Sequence, residues 1–180
     1  MREFSPCAHF HDVVAFSGYN YFSESTFNGL FRYASKGDIA EYVGRFPNED
    51  PWQWDLHRKI IKYKESLFFI PLNGKGISIY HPNREQFEFI EIAKNNEKNV
   101  QFADVTMISK YKVLLIPQRI DTPFILLDLD SKHIERVDWL CDVFRAKIED
   151  HTHDDWAPFS VHSICVVNND IYITLADTNY

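Results

Sequence analysis

The chain repeats itself, and that repeat restricts its fold more than any other feature. Three strand-like runs can be laid over one another: Leu67-Phe68-Phe69-Ile70-Pro71, Val113-Leu114-Leu115-Ile116-Pro117 and Ile171-Tyr172-Ile173-Thr174. Each begins about 11 residues after an earlier strand-like segment, near Leu56, Phe102 and Ser160. Asn20-Tyr21-Phe22-Ser23, preceded by a segment from His9, fits the same scheme. A third strand follows at Leu30–Tyr33, Ile77–Tyr80 and Ile125–Asp128. After a polar turn, a fourth is expected at Ile39–Phe46, Phe87–Ile92 and Ile134–Leu140. The period is about 47 residues.

A four-stranded sheet with apolar residues on both faces cannot bury them alone, so copies must stack on one another. Short turns between successive strands permit only antiparallel meanders. An antiparallel sandwich or barrel also has short strands and turns; the recurrence of one four-part unit in one order argues against it. The unit Leu-Phe-Phe-Ile-Pro … Ile-Ser-Ile-Tyr-His-Pro-Asn … Phe-Glu-Phe-Ile resembles kelch-type and related β-propeller repeats. The kelch double glycine and the Trp-Asp pair of WD40 repeats are both missing, so the resemblance reaches the architecture and neither subfamily. It implies an all-β chain, a β-propeller of four-stranded antiparallel blades, incomplete at about three and a half blades. The expectation is a single domain over 1–180 with blades at about 9–50, 56–95, 102–142 and 160–180, the last truncated. Further blades in a longer parent chain are expected to complete the ring, because an open one leaves sheet edges and apolar faces uncovered.

The net charge of -7 argues against a nucleic-acid partner, since phosphate neutralisation needs clustered Lys and Arg. No apolar run approaches a membrane span, and the residues from Met1 to Pro6 do not read as a secretory leader, so none is expected. Cys7, Cys141 and Cys165 have no paired spacing, which fits reduced thiols and a cytoplasmic location. Hydrophobic residues at 45% and aromatics at 16% supply a core and favour strands.

In propellers, as the resemblance implies, the first strand of each blade lines a central channel, and its beginning lies at the face where ligands bind. The third position of that strand holds His11, Arg58, Asp104 and His162. Two residues on, the column reads Val13, Ile60, Thr106 and Ile164, so alternation sets a polar ring above an apolar plug. Solvated strand ends explain such a ring; so does a patch for an anionic or hydroxyl-rich ligand, with Arg58 as a planar fork. Trp52 and Trp156 hold equivalent loop places, four residues before an inner strand, and Trp54 sits beside the first. They either cap the seam between blades or stack on a ligand.

Between the third and fourth units, Val143–Glu149 reads as a short helix, followed by an acidic stretch with His151 and His153. His-x-His spacing, also present at His9 and His11, is too little for a metal site, and a solvated loop accounts for it. Carboxylate pairs such as Glu49-Asp50 read as solvated turns. No nucleophile elbow, phosphate loop or Cys-x-x-Cys occurs, and no cofactor, metal or catalytic residue is expected. The function expected is a non-catalytic binding module presenting loops and a polar channel mouth to a protein or carbohydrate-like ligand. The alternatives are a propeller lyase or hydrolase acting on sugars through His11, Arg58, Asp104 and His162, and a purely structural module.

Overall fold

The computed structural model describes residues 9–37, 39–93, 99–119, 122–148, 161–167 and 170–175. It divides into two compact units, Met1–Val100 and Gln101–Tyr180. In the first unit, β1 (Val14–Phe16), β2 (Tyr19–Ser23), β3 (Leu30–Ala34) and β4 (Glu41–Gly44) form one sheet in chain order. A second sheet follows with β5 (His57–Tyr63), β6 (Ser66–Pro71), β7 (Gly76–His81) and β8 (Gln86–Glu91). The second unit holds β9 (Phe102–Met107), β10 (Lys112–Pro117), β11 (Ile125–Asp128) and β12 (Ile134–Arg136), then helix α1 (Asp138–Ile148). The pair β13 (Val161–Val167) and β14 (Asp170–Leu175) ends the described chain. Every neighbouring pair is antiparallel, as hairpin turns such as Ser17-Gly18 and Lys64-Glu65 require. Both residues of the first turn have positive φ, 48° and 84°, the second a glycine that carries no Cβ penalty there.

The first unit is held by sheet faces laid on each other. Tyr21 and Leu30 from the first sheet meet Leu67, Phe69 and Tyr80 from the second, with Phe46 and Leu56 from the intervening connection between them. All seven are nearly or wholly inaccessible to water. Burying side chains of this size stabilises by roughly 1.5–3 kcal/mol each. Their rings make tilted contacts, Tyr21–Tyr80 at 5.9 Å and Phe46–Phe69 at 4.8 Å, adding directional preference to area burial. Polar ties cross the same seam: Ile60 N–H donates to Asp12 Oδ2 at 2.9 Å, and Arg32, paired within its own sheet with Glu41 at 3.0 Å, reaches Glu85 at 3.5 Å.

In the second unit the fourth strand is shorter than the sequence suggests. It ends at Arg136, and the expected strand residues Asp138–Leu140 instead open α1, which begins five residues before the anticipated Val143. Val137, Leu140 and Cys141 lie at i, i+3 and i+4, a helical spacing, and pack on Ala103, Leu114, Ile116 and Phe124. Asp138 lies in the helix's first turn, where its charge complements the helix dipole. No helix among the described residues is long and apolar enough to cross a membrane.

Candidate functional site

The connection from β4 to β5 carries the most exposed aromatic surface of the first unit. Trp52 is 80% exposed and Trp54 62% exposed. The seam-capping role considered for Trp52 is therefore overturned: its ring faces solvent. The loop is nonetheless tied down. Trp52 N–H donates to Asp50 Oδ1 at 2.7 Å, and Asp55 N–H donates to Ser25 O at 2.6 Å. Asn28 N–H donates to Pro51 O at 3.2 Å, and Ser25 N–H to His9 O at 2.8 Å. Asn28 completes the anchorage with its side chain: Nδ2 donates to Phe46 O at 3.0 Å, while Oδ1 accepts from Phe46 N–H at 2.9 Å. On the other flank, Asn73 Nδ2 donates to Trp54 O at 3.4 Å, and Asn99 Nδ2 to Gln53 Oε1 at 3.3 Å.

Two of the four polar column residues come together here. His11 Nε2 lies 3.0 Å from Asp55 Oδ1, and Arg58 Nη1 lies 3.5 Å from His11 Nδ1. A consistent tautomer has Nε2–H donating to Asp55 and Nδ1 accepting from Arg58. Asp55 holds its place with φ of 49°, a left-handed conformation that Asp tolerates better than most residues. His11 precedes β1 rather than lying within it, so this part of the column is loop, not strand.

Strand pairing also redraws the column. In β5, His57 faces Pro71 and Lys59 faces Ile70, leaving Arg58 as an extra, bulged residue. In β9 the same irregularity falls on Ala103, with Phe102 facing Pro117 and Asp104 facing Ile116. In β13 it falls on His162, with Val161 facing Leu175 and Ser163 facing Thr174. Arg58 and His162 are thus equivalent, but Asp104 stands one place further on, opposite in kind to Lys59. The cause is the β9–β10 turn, Ser109-Lys110-Tyr111, one residue longer than Lys64-Glu65. Asp104 is half-buried and accepts from Val105 N–H at 2.9 Å. Asp12 accepts from Val13 N–H in the same way at the same distance. The side chain of His162, and Trp156, His151 and His153 altogether, lie outside the described residues.

Beneath the rim, His57 is enclosed. Its Nδ1 lies 2.9 Å from Ser23 Oγ, joining β2 to β5, and its ring meets Phe46 edge-on at 4.3 Å. Desolvation lowers its pKa from 6.5 to about 3, so the imidazole stays neutral. Glu49 is half-buried, contrary to its reading as a solvated turn residue. Burial pushes its carboxyl up to about 7, although Lys75 N–H donates to Oε1 at 2.7 Å. Sequence reasoning also passed over a serine–imidazole–carboxylate chain on the second sheet. Ser66 Oγ lies 2.9 Å from His81 Nδ1, and His81 Nε2 lies 2.8 Å from Glu88 Oε1. Its signal was the meander itself, since these residues share one face of β6, β7 and β8. No group of three or more metal-ligating side chains occurs among the described residues.

No protein-family model matches this chain, and no curated protein matches it by sequence. Solved structures do. Virginiamycin B lyase from Staphylococcus aureus aligns with a TM-score of 0.59 at 16% identity, over 89% of this chain and 47% of its own. YCF48 bound to D1 peptide gives 0.59 at 14% identity, over 93% and 48%. The extracellular domain of BT4673 from B. thetaiotaomicron gives 0.56 at 15%, over 93% and 20%. The chain therefore spans about half the length of the first two, which are β-propeller proteins, and a fifth of the third. At these identities the likeness is one of fold, with no support for kelch membership. Three four-stranded meanders, a further strand pair and these neighbours make the chain an incomplete β-propeller.

Proposed function

We propose that the chain is a propeller binding module that engages a protein partner through the rim formed by Trp52, Trp54 and the His11–Asp55–Arg58 cluster. The observation carrying this reading is a pair of solvent-facing tryptophans on a loop pinned by backbone hydrogen bonds at both ends. An exposed Trp costs solubility and yields nothing to the fold. Held on a fixed loop it supplies large contact area at little entropic cost, as hot-spot residues do. Arg58 adds a directional donor beside it. That one solved neighbour was captured with a peptide supports a protein ligand. A carbohydrate-like ligand would use the same rings by stacking. Free, unpaired Cys141 and Cys165 support a cytoplasmic setting.

The test is selection of a phage-displayed random peptide library on the wild-type chain, with binding read by tryptophan emission. Selected peptides are expected to shift that emission and to lose at least tenfold in affinity against Trp52→Ala/Trp54→Ala. Equal binding to the double variant would overturn the assignment. Binding confined to a glycan array would move the ligand class to carbohydrate.

A second reading, a lyase or hydrolase acting on sugars, draws on the approach of Arg58 to His11. Under it, Arg58→Ala and His11→Ala would each abolish turnover of an oligosaccharide panel, while peptide binding at the tryptophans survived.

A further inference from the structure

The chain contains the dipeptide Asn-Gly twice, at Asn28-Gly29 and Asn73-Gly74. Both asparagines hold the connection from β4 to β5 that carries Trp52 and Trp54. Asn-Gly is also the pair in which a side-chain amide is most open to attack by its own backbone, because no side chain on the following residue blocks the approach. Their surroundings set the two apart. Asn28 is buried, and both ends of its amide are bonded at ordinary lengths, Nδ2 donating to Phe46 O at 3.0 Å and Oδ1 accepting from Phe46 N–H at 2.9 Å.

Asn73 is half-buried, in the turn from β6 to β7. Its Nδ2 reaches Trp54 O at 3.4 Å, and Gly74 N–H reaches Val100 O at 3.4 Å, both beyond the usual range of such bonds. The leaving amide and the attacking nitrogen are therefore loosely held. Asn99 Nδ2 donates to Asn73 Oδ1 at 3.2 Å, where it polarises the carbonyl and stabilises the negative charge that attack on Cγ develops. The same turn clamps the second half of the tryptophan loop. Leu72 N–H donates to Leu56 O at 2.9 Å, and Lys75 N–H to Glu49 Oε1 at 2.7 Å. It has no slack: a Cβ at Gly74 would lie 2.9 Å from Glu49 Oε1 and 3.0 Å from Leu56 Cδ1.

We propose that Asn73 is a site of spontaneous modification, whose conversion to aspartate or isoaspartate unpins the tryptophan loop. Gly74 N bonds to Asn73 Cγ and gives up its proton; the Cγ–Nδ2 bond breaks, and the amide leaves as ammonia. Water then opens the cyclic imide at either carbonyl, giving aspartate or isoaspartate. Either product lacks the amide that donates to Trp54 O and sets a negative charge beside that carbonyl. Isoaspartate also lengthens the backbone next to Gly74, where there is no room. The modification holds whatever the rim engages, and so does not depend on the binding role.

Ageing of the full chain at mildly alkaline pH and body temperature tests this, read by peptide mass spectrometry. Asn73 should convert about tenfold or more ahead of Asn28, because the enclosed residue reacts only after local opening. In concentrated urea the two should convert at similar rates. Hydrogen exchange over residues 47–56 should quicken by about threefold or more in the converted chain, and likewise in Asn73→Asp; the aged wild-type chain carries the test should that variant unfold. Conversion of Asn28 first or in step, an Asn73 still intact once the urea-unfolded chain has converted, or unchanged exchange of the loop in the converted chain would each overturn the proposal.

Discussion

At the residue scale, burial of ionisable groups gives the molecule a specific response to pH. Unfolded, His57 takes a proton near pH 6.5; folded, it resists until about pH 3. Stability therefore falls as pH drops through that window, by up to about 1.4 kcal/mol per pH unit. Glu49 acts in the opposite sense. Folded, it keeps its proton up to about pH 7, whereas the unfolded chain releases it near 4.5, so its contribution is lost as pH rises between those values. From about pH 4.5 to 6.5 the two slopes oppose each other; below that, His57 acts alone. Denaturant melts should show a shallow dependence that steepens below about pH 4.5, and His57→Phe should abolish the steep limb. Neither group was legible beforehand. His57 stands beside Arg58 in the sequence, and only the enclosure by Phe46 and Phe69 distinguishes a buried ring from an exposed one. Gly76 is a second such case: a Cβ there would overlap the carbonyl oxygen of Ile90 on the paired strand. Gly76→Ala should cost about 2–3 kcal/mol in chemical denaturation, and an unchanged midpoint would contradict the close approach of β7 and β8.

At the element scale, the second and third strands of each unit were readable because they are short apolar runs between turn residues. Leu67–Pro71 and Val113–Pro117 fall within β6 and β10, and Ile77–Tyr80 within β7. Inner strands were placed less well. Turn length and the bulge at Arg58, Ala103 and His162 shift register by one residue, and identity at a position carries no mark of either. The sequence set His11 and Arg58 in one column and left solvated strand ends and a ligand patch both open; Asp55, which completes the cluster, was passed over because loop closure brings it in. The missed helix start has the same origin: Val137, Leu140 and Cys141 suit a strand locally, and only a wall of apolar residues from β9 and β10 makes the helical spacing pay. That packing predicts thiol chemistry. Iodoacetamide followed by peptide mass spectrometry should label exposed Cys165 rapidly under native conditions and buried Cys141 only on unfolding. Equal labelling would show that α1 does not cover the second unit's core.

At the scale of the whole molecule, the fold was the most legible property, because it depends on recurrence rather than on any single side chain. Sheets with two apolar faces must be stacked, and in the first unit the second sheet supplies the cover for the first. Function was less legible, since a propeller scaffold fixes where loops sit and leaves their chemistry to a few residues. Trp52 shows the difference: sequence marked it as noteworthy, but its exposure decides between seam and rim. The claim on which all of this depends is that neighbouring sheets stabilise each other through their faces. A double-mutant cycle on Tyr21→Ala and Tyr80→Ala, read by denaturant unfolding, measures it across the first seam, where the rings lie 5.9 Å apart. The account predicts a coupling of about 0.5–1.5 kcal/mol between the two rings; strictly additive losses would mean that the faces of the two sheets do not meet.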